Sequence, residues 1–192
     1  MKVTAIVLAA GESRRMGRQK LLLELDGKPL IRHVTDSVSA SVVDDLIVVT
    51  GGHHEEVMAA VGDGARFVRN PDPARGMLSS VRCGLEAATD TDAIALFLGD
   101  QPRIEPSIIN SVLSAFAISE KTIAVPETNG KRGHPLVFAA SHREEILTAF
   151  DETGLRGLLQ AHPAEVLTVP VNSPAVLEDV DTPEDFEKLS EA

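Results

Sequence analysis

VTAIVLAAGESRRMGRQK, residues 3–20, opens with an apolar run over 3–9 that ends abruptly in small residues, a glycine and a cluster of cations. The run is near-continuous rather than alternating, the pattern of a strand covered on both faces. At its end Ala9, Ala10 and Gly11 are small enough for backbone to approach a ligand closely. Successive N–H groups in such a turn form a concavity for anions. Arg14, Arg15, Arg18 and Lys20 then place four cations within the seven positions 14–20, a density found nowhere else in the chain. They are forked and mobile donors suited to phosphate oxygens. Gly11 and Gly17 stand six apart, with lysine three residues later, so the spacing is neither that of a P-loop nor the GxGxxG of a dinucleotide site. A solvated basic loop beside a tight turn is the plainer explanation. The coincidence of strand end, glycine and cations favours a phosphate site.

The pattern repeats on both sides of this stretch. DLIVVT (45–50), AIALFLG (93–99), TIAV (122–125) and VLTVPV (166–171) are further near-continuous apolar runs. Helical patterns occupy 29–40, 53–61, 77–88 and 106–117, the first with Pro29 at its first position and the second with Glu55 and Glu56 in its first turn. Strand, helix, strand repetition predicts βαβ units and an α/β fold with a mainly parallel sheet. LVF (136–138) and a helix at 142–150 break the alternation and predict a short antiparallel excursion. No repeat, low-complexity segment or linker interrupts the pattern, and 192 residues support one core of ordinary size. A single domain over 1–192 is expected. Ligands of such sheets bind at the carboxyl ends of strands, so chemical motifs should follow apolar runs.

Composition narrows the function. Net charge is 18 − 29 = −11, which speaks against nucleic-acid binding and its need for a basic face. An enzyme acting on nucleotides has to concentrate positive charge locally, as residues 14–20 do. With six Phe, no Trp and no Tyr there is no stacking platform, so a bound ring would meet backbone edges and aliphatic surface. No apolar run approaches the roughly 20 residues of a membrane span. The single Cys83 excludes an internal disulfide framework and a CxxC metal site, fits a reducing cytoplasm, and is expected in the core.

Four further segments carry candidate chemistry. GDQP (99–102) follows an apolar run, so Asp100 should stand at a strand end. There it could cap a helix or turn, or hold Mg²⁺ beside phosphates, and the cationic loop favours the metal. NPDPARGMLSSVRCGL (70–85) is a turn entering a helix near Gly76 or Met77. Ser79 and Ser80 there are suited either to capping or to a base edge or ribose. In EDVDTPEDF (178–186) a helix start explains Thr182, Pro183 and Asp185, and leaves Asp181 to face the sheet edge. In GKRGHPLVF (130–138) His134 is constrained between Gly133 and Pro135. His33, His53, His54, His142 and His162 show no metal-ligand spacing and are read as surface or helix-terminal residues.

LAAGxSxRMGxxK, followed by LLLELDGKPLIRHV, resembles the nucleotidyltransferase family that uses NTPs to activate sugar phosphates, isoprenoid precursors and pterin cofactors. Within that family the molybdopterin cytidylyltransferase branch is the most similar. The resemblance covers the whole chain and implies a three-layer Rossmann-like nucleotidyltransferase fold. It implies that the first loop wraps a triphosphate, with Arg15 and Lys20 as phosphate contacts and, with Asp100, as catalytic residues. Leu8, Ala9, Ala10 and Gly11 would face the nucleoside across from Gly76, Ser79 and Ser80. Asp100 and Asp181 would hold Mg²⁺, with Asp179 a substitute for the latter. Gly133, His134 and Pro135 would meet the molybdopterin-type acceptor, beside a GLRGLL segment (154–159). A molybdoenzyme or its maturation chaperone would be the macromolecular partner. The guanylyl-transferring relatives read LAGG where this chain reads LAAG, so the Ala10 methyl favours CTP over GTP. Another NTP or a sugar-phosphate acceptor is the near alternative. A redox enzyme and a non-catalytic nucleotide-binding subunit on the same scaffold are the distant ones.

Overall fold

The computed structural model describes residues 1–12 and 19–191. The first strand, β1 (Val3–Ala9), leads through the cationic segment to a short hairpin of β2 (Glu24–Leu25) and β3 (Lys28–Pro29). There follow α1 (Leu30–Ser39), β4 (Asp45–Thr50), α2 (His54–Val61), β5 (Arg66–Arg69), α3 (Met77–Ala87), β6 (Ala93–Leu98) and α4 (Pro106–Ala117). The remainder comprises β7 (Ile123–Thr128), β8 (Lys131–Arg132), β9 (Leu136–Ala139), α5 (Arg143–Thr148), α6 (Arg156–Ala161), β10 (Val166–Pro170) and α7 (Pro183–Glu191).

An eight-stranded sheet runs in the order β10-β7-β9-β6-β1-β4-β5, with β8 also paired to β7. β1 lies parallel between β4 and β6, with Val7 opposite Val48 on one side and Phe97 on the other. β9 is the antiparallel excursion, inserted between β6 and β7. Alternate residues of β1 feed two cores. Ala5, Val7 and Ala9 pack with Ile31 and Val34 of α1, Val57 of α2 and Ile109 of α4. Ile6 packs with Val81 and Leu85 of α3, Ile146 of α5 and Leu158 of α6. The result is three layers, helices over both sheet faces, as near-continuous apolar strands require. α3 lies unusually close to β1, because a Cβ on Gly84 would fall 2.7 Å from the Ile6 side chain. A third, small core of Leu23, Leu25, Leu30 and Val180 seats Phe186 and Leu189 of α7 against the β2–β3 hairpin. Among the described residues no helix is long and apolar enough to cross a membrane.

The elements differ from expectation in three places. Pro29 ends β3 with extended backbone (φ −55°, ψ 142°), and α1 begins one residue later. β5 was not legible because its sequence, RFVR, carries charged residues at both ends of an edge strand. α6, six residues long after a turn that holds Gly154, is too short for an amphipathic pattern to develop. Of the two readings of His142, surface or helix-terminal, the structure gives the second: it stands at the start of α5, at the end of a 3₁₀ turn, and is buried at 6% exposure.

Candidate active site

The register that pairs Leu8 with Leu98 sets the ends of β1 and β6 side by side, and the Gly99 amide donates to the Leu8 carbonyl at 3.0 Å. A side chain at Gly99 would put a Cβ 2.8 Å from that carbonyl, and one at Gly51 would meet the Ala10 carbonyl at 2.6 Å. Both glycines therefore permit a backbone approach no other residue would allow. Asp100 follows at once. Its carbonyl accepts the Val180 amide at 3.0 Å, and Gln101 Nε2 donates to the Val176 carbonyl at 3.4 Å. The C-terminal segment is thereby strapped across the end of β6.

That strap delivers Asp181. α7 starts with a reciprocal cap: the Asp185 amide donates to Thr182 Oγ1 at 3.2 Å, while Asp185 Oδ2 accepts the Thr182 amide at 2.9 Å and the Asp181 amide at 3.2 Å. The Thr182 hydroxyl, which donates to Asp185 Oδ2 at 2.8 Å, and then the two amides hold the Asp185 carboxyl below the usual carboxylate range. They also fix the backbone of Asp181 as helix-start chemistry predicts.

Lys20 enters from the other side, on a 3₁₀ turn anchored by buried Leu21. Its ammonium donates to Asp100 Oδ2 at 2.6 Å and to Asp181 Oδ1 at 2.7 Å. The lysine and Asp100 side chains are 13% and 17% exposed and that of Asp181 is 45%. Burial works to lower the lysine pKa, but Asp100 and Asp181 more than offset it and hold it above the ordinary value. The ammonium is therefore charged at neutral pH. Asp179 stands close by, its carboxyl raised first by burial and then by the charges of Asp100 and Asp181.

The other oxygen of Asp100, Oδ1, is buried and accepts no hydrogen bond among the described residues. Leaving such an oxygen without a partner costs free energy unless a ligand completes it. A carboxylate pair already bridged by one cation, with a spare oxygen, is a donor set that fits a hard divalent ion such as Mg²⁺.

These groups rim a cavity of about 320 Å³. It is lined by Leu8, Ala10 and Gly11 at the end of β1, by Pro73, Gly76, Met77 and Ser80 at the start of α3, and by Lys20, Leu21, Leu98, Asp100, Asp179 and Asp181. Several residues singled out in the sequence thus converge, but not all. Ala9 points away into the α1–α4 core. Ser79 is off the lining, and its hydroxyl turns back to donate to the Gly76 carbonyl at 2.7 Å. Gly133, His134 and Pro135 lie behind the strap, where the His134 amide donates to the Val176 carbonyl at 2.9 Å. Burial pushes the His134 imidazole down to about 4, against the opposing pull of Asp179. Arg15, like Arg14 and Arg18, lies outside the described residues.

Sequence reasoning overlooked Asn70. It is 3% exposed, and its Nδ2 donates to Ser79 Oγ at 2.8 Å and Ser80 Oγ at 2.9 Å while its Oδ1 accepts the Asp72 amide at 2.9 Å. It thus fixes the turn that carries Pro73 and Gly76 against the start of α3. The only signal was the turn-rich NPDP itself.

A cavity at the end of β1, with a carboxylate pair suited to a cation on its lining, is the arrangement a nucleotidyltransferase needs. The chain belongs to the MobA-like NTP transferase family, whose domain model matches residues 5–166. It is 35% identical over 150 residues to a probable molybdenum cofactor guanylyltransferase of Pyrococcus horikoshii, covering 77% of this chain and 74% of that one. The molybdenum cofactor cytidylyltransferase of Escherichia coli is 26% identical, over 96% of this chain and 93% of its own. Nicotine blue oxidoreductase of Paenarthrobacter nicotinovorans is 29% identical over 97% and 96%. Among solved structures, the homologue of Rv0371c from Mycobacterium sp. strain JC1 superposes with a TM-score of 0.88 at 32% identity, covering 100% of this chain and 97% of that one. Rv0371c of Mycobacterium tuberculosis H37Rv in complex with manganese gives 0.80 at 27% identity, over the full length of both.

Proposed function

We propose that this protein transfers a nucleoside monophosphate, CMP from CTP in preference to GMP from GTP, to the terminal phosphate of molybdopterin or the molybdenum cofactor. A terminal phosphate oxygen of the acceptor attacks the α-phosphorus, the bond from that phosphorus to the bridging oxygen breaks, and pyrophosphate leaves with the electron pair. No general base is required, because a phosphomonoester is already anionic near neutral pH. The observation that carries this reading is the Lys20 ammonium between Asp100 and Asp181, on the lining of the cavity that Leu8, Ala10 and Gly11 share. Asp100 and Asp181 would hold Mg²⁺, which when bound neutralises phosphate charge and polarises the α-phosphorus. Lys20 and Arg15 would neutralise the departing pyrophosphate, and the cavity would hold base and ribose between Ala10 and the start of α3. Positioning and charge neutralisation do most of the work in such transfers. Gly133, His134 and Pro135 are assigned to the acceptor side, with a molybdoenzyme or its chaperone receiving the product.

The test is pyrophosphate release with each NTP, with and without molybdopterin, in the presence of Mg²⁺. Release that needs both CTP and the acceptor is expected, and its absence with every NTP would overturn the reading. The full-length likeness to an oxidoreductase makes NAD(P)H turnover the second measurement. The sequence has no GxGxxG, so no turnover is expected.

A further inference from the structure

At the opposite end of the sheet, β9 delivers a different cluster. Ala139, at its end, pairs with Ala93, the first residue of β6, whereas Asp100 follows the last. Beyond β9 stands His142, with Glu145 in α5, His162 just after α6 and Glu165 just before β10. One oxygen, Glu145 Oε2, lies 2.8 Å from His162 Nε2 and 3.6 Å from His142 Nδ1. The two rings meet edge to face, with centroids 4.8 Å apart. The ligand-capable atoms of His142, Glu145 and His162 all lie within 4.8 Å of one another.

The other ring nitrogens are engaged outside this trio. Thr122 Oγ1 donates its single proton to Glu165 Oε2, so it accepts from His142 Nε2 at 2.8 Å. His162 Nδ1 lies 3.3 Å from Glu165 Oε1. With its Nε2 directed at Thr122 Oγ1, His142 turns Nδ1 toward a carboxylate oxygen 3.6 Å away. An imidazole nitrogen and a carboxylate oxygen facing each other at that distance can both reach one cation placed between them. The separation is too long for a hydrogen bond. That separation and the 2.8 Å hydrogen bond from His162 Nε2 to the same oxygen lie on either side of the about 3.3 Å between neighbouring ligands in a tetrahedral site with bonds of about 2.0–2.1 Å. A bound ion would therefore take the place of the proton His162 shares with Glu145.

We propose that His142 Nδ1, His162 Nε2 and Glu145 Oε2 bind a borderline divalent cation of the zinc class, with Thr122 and Glu165 orienting the two imidazoles. Two nitrogens and one carboxylate select Zn²⁺, Co²⁺ or Ni²⁺ over the hard Mg²⁺ of an all-oxygen site. A hydrogen bond from the second nitrogen of each ligating histidine to an oxygen partner fixes the ring and its tautomer. The carboxylate is 36% and the His162 side chain 26% exposed, so solvent reaches the site and water can supply a fourth ligand. The ion would tie the entry of α5 to the end of α6, bracing the antiparallel excursion from the side remote from the cavity.

The full chain, stripped with chelator, is titrated with Co²⁺ and then with Zn²⁺. An Asp100→Asn, Asp181→Asn double variant removes the carboxylates of the other site. One Co²⁺ per chain is expected in the double variant, with the visible bands of nitrogen ligation seen in wild type, and the bands should vanish when Zn²⁺ displaces the ion. Glu145→Gln and His162→Gln should lose the bands, and Thr122→Val should weaken binding by about 10- to 100-fold, the range for residues that orient a ligand. Zn²⁺ should raise the thermal midpoint of the stripped wild type and leave that of Glu145→Gln unmoved. Circular dichroism in chelator checks that each variant folds, and if His162→Gln does not, the more exposed Glu145→Gln decides. Bands absent from the wild type, or lost in the double variant and kept in Glu145→Gln, would overturn the proposal.

Discussion

Lys20 Nζ lies 2.6 Å from Asp100 Oδ2, although the two residues are 80 positions apart in the chain. The contact exists because β1 and β6 are neighbours in register and the turn after the cationic segment is anchored by Leu21. It joins a triphosphate-binding candidate to a metal-binding one.

Asp100→Asn should lower nucleotidyl transfer by on the order of 100-fold or more, as losses of transition-state electrostatics commonly do. Its fold should not suffer. Lys20 keeps Asp181 as a partner, and the charge that helps raise the Asp179 carboxyl is removed. Stability within about 1 kcal/mol of wild type, or above it, is expected from urea denaturation. Wild-type turnover at limiting Mg²⁺ would remove Asp100 from the mechanism.

Lys20→Ala behaves differently, because the Asp100 carboxylate loses the ammonium it is paired with while remaining 17% exposed. A destabilisation of about 1–3 kcal/mol is expected, the range for a buried polar group left without its partner. Weaker NTP binding should accompany it, measured on the folded fraction. If the variant is less stable yet binds CTP as tightly as wild type, Lys20 is structural.

His134 gives the protein an acid-sensitive joint. Its imidazole titrates at about 4 in the fold against 6.5 unfolded, mainly because burial disfavours the charged form. The folded pKa is the lower one, so its stability contribution is complete above 6.5 and is lost as pH falls toward 4. The full shift corresponds to up to roughly 3 kcal/mol. Urea midpoints at several pH values between 7.5 and 4 should therefore fall more steeply for wild type than for His134→Asn. Parallel curves would mean that the histidine is solvated.

The parts of this molecule that could be read from sequence were those whose signal is local. β1 and β6 are apolar on both faces, so their continuous runs marked them as central strands and placed Asp100 at a strand end. The Thr182–Asp185 cap was legible because its partners are three residues apart. Asn70 was not, since its role depends on which way one side chain turns across a bend. His142 and His162 gave no ligand spacing, and it is the packing of α5 and α6 beside β10 that brings their rings together. Position in three dimensions, rather than residue type, was the missing quantity.

Asn70→Ala tests the cavity lining at the start of α3. The variant leaves the Ser80 hydroxyl, on a residue 5% exposed, without its amide donor. A loss of about 1–3 kcal/mol is expected. The turn that presents Pro73 and Gly76 should loosen with it, raising KM for the nucleotide more than it lowers kcat. An unchanged KM would show that this turn does not touch substrate.

Base choice is the prediction on which the cytidylyl reading depends. Ala10 is 6% exposed and lines the cavity, and its carbonyl lies against Gly51 so closely that a Cβ there would come within 2.6 Å. The backbone at this point is therefore held from behind and cannot retreat from a larger base. Wild type should use CTP better than GTP, and Ala10→Gly should narrow the gap by removing one methyl group. Such a change is worth about 1–3 kcal/mol, so the ratio of kcat/KM values should move by roughly 10- to 200-fold at most. Full reversal is not expected, because under the proposed reading the polar groups near Gly76 and Ser80, which line the same cavity, would still suit cytosine. Both nucleotides are measured with the same acceptor, in wild type and variant. An unchanged ratio would take Ala10 out of the specificity argument, and a wild-type preference for GTP would replace cytidylyl with guanylyl transfer while leaving the site and its chemistry in place.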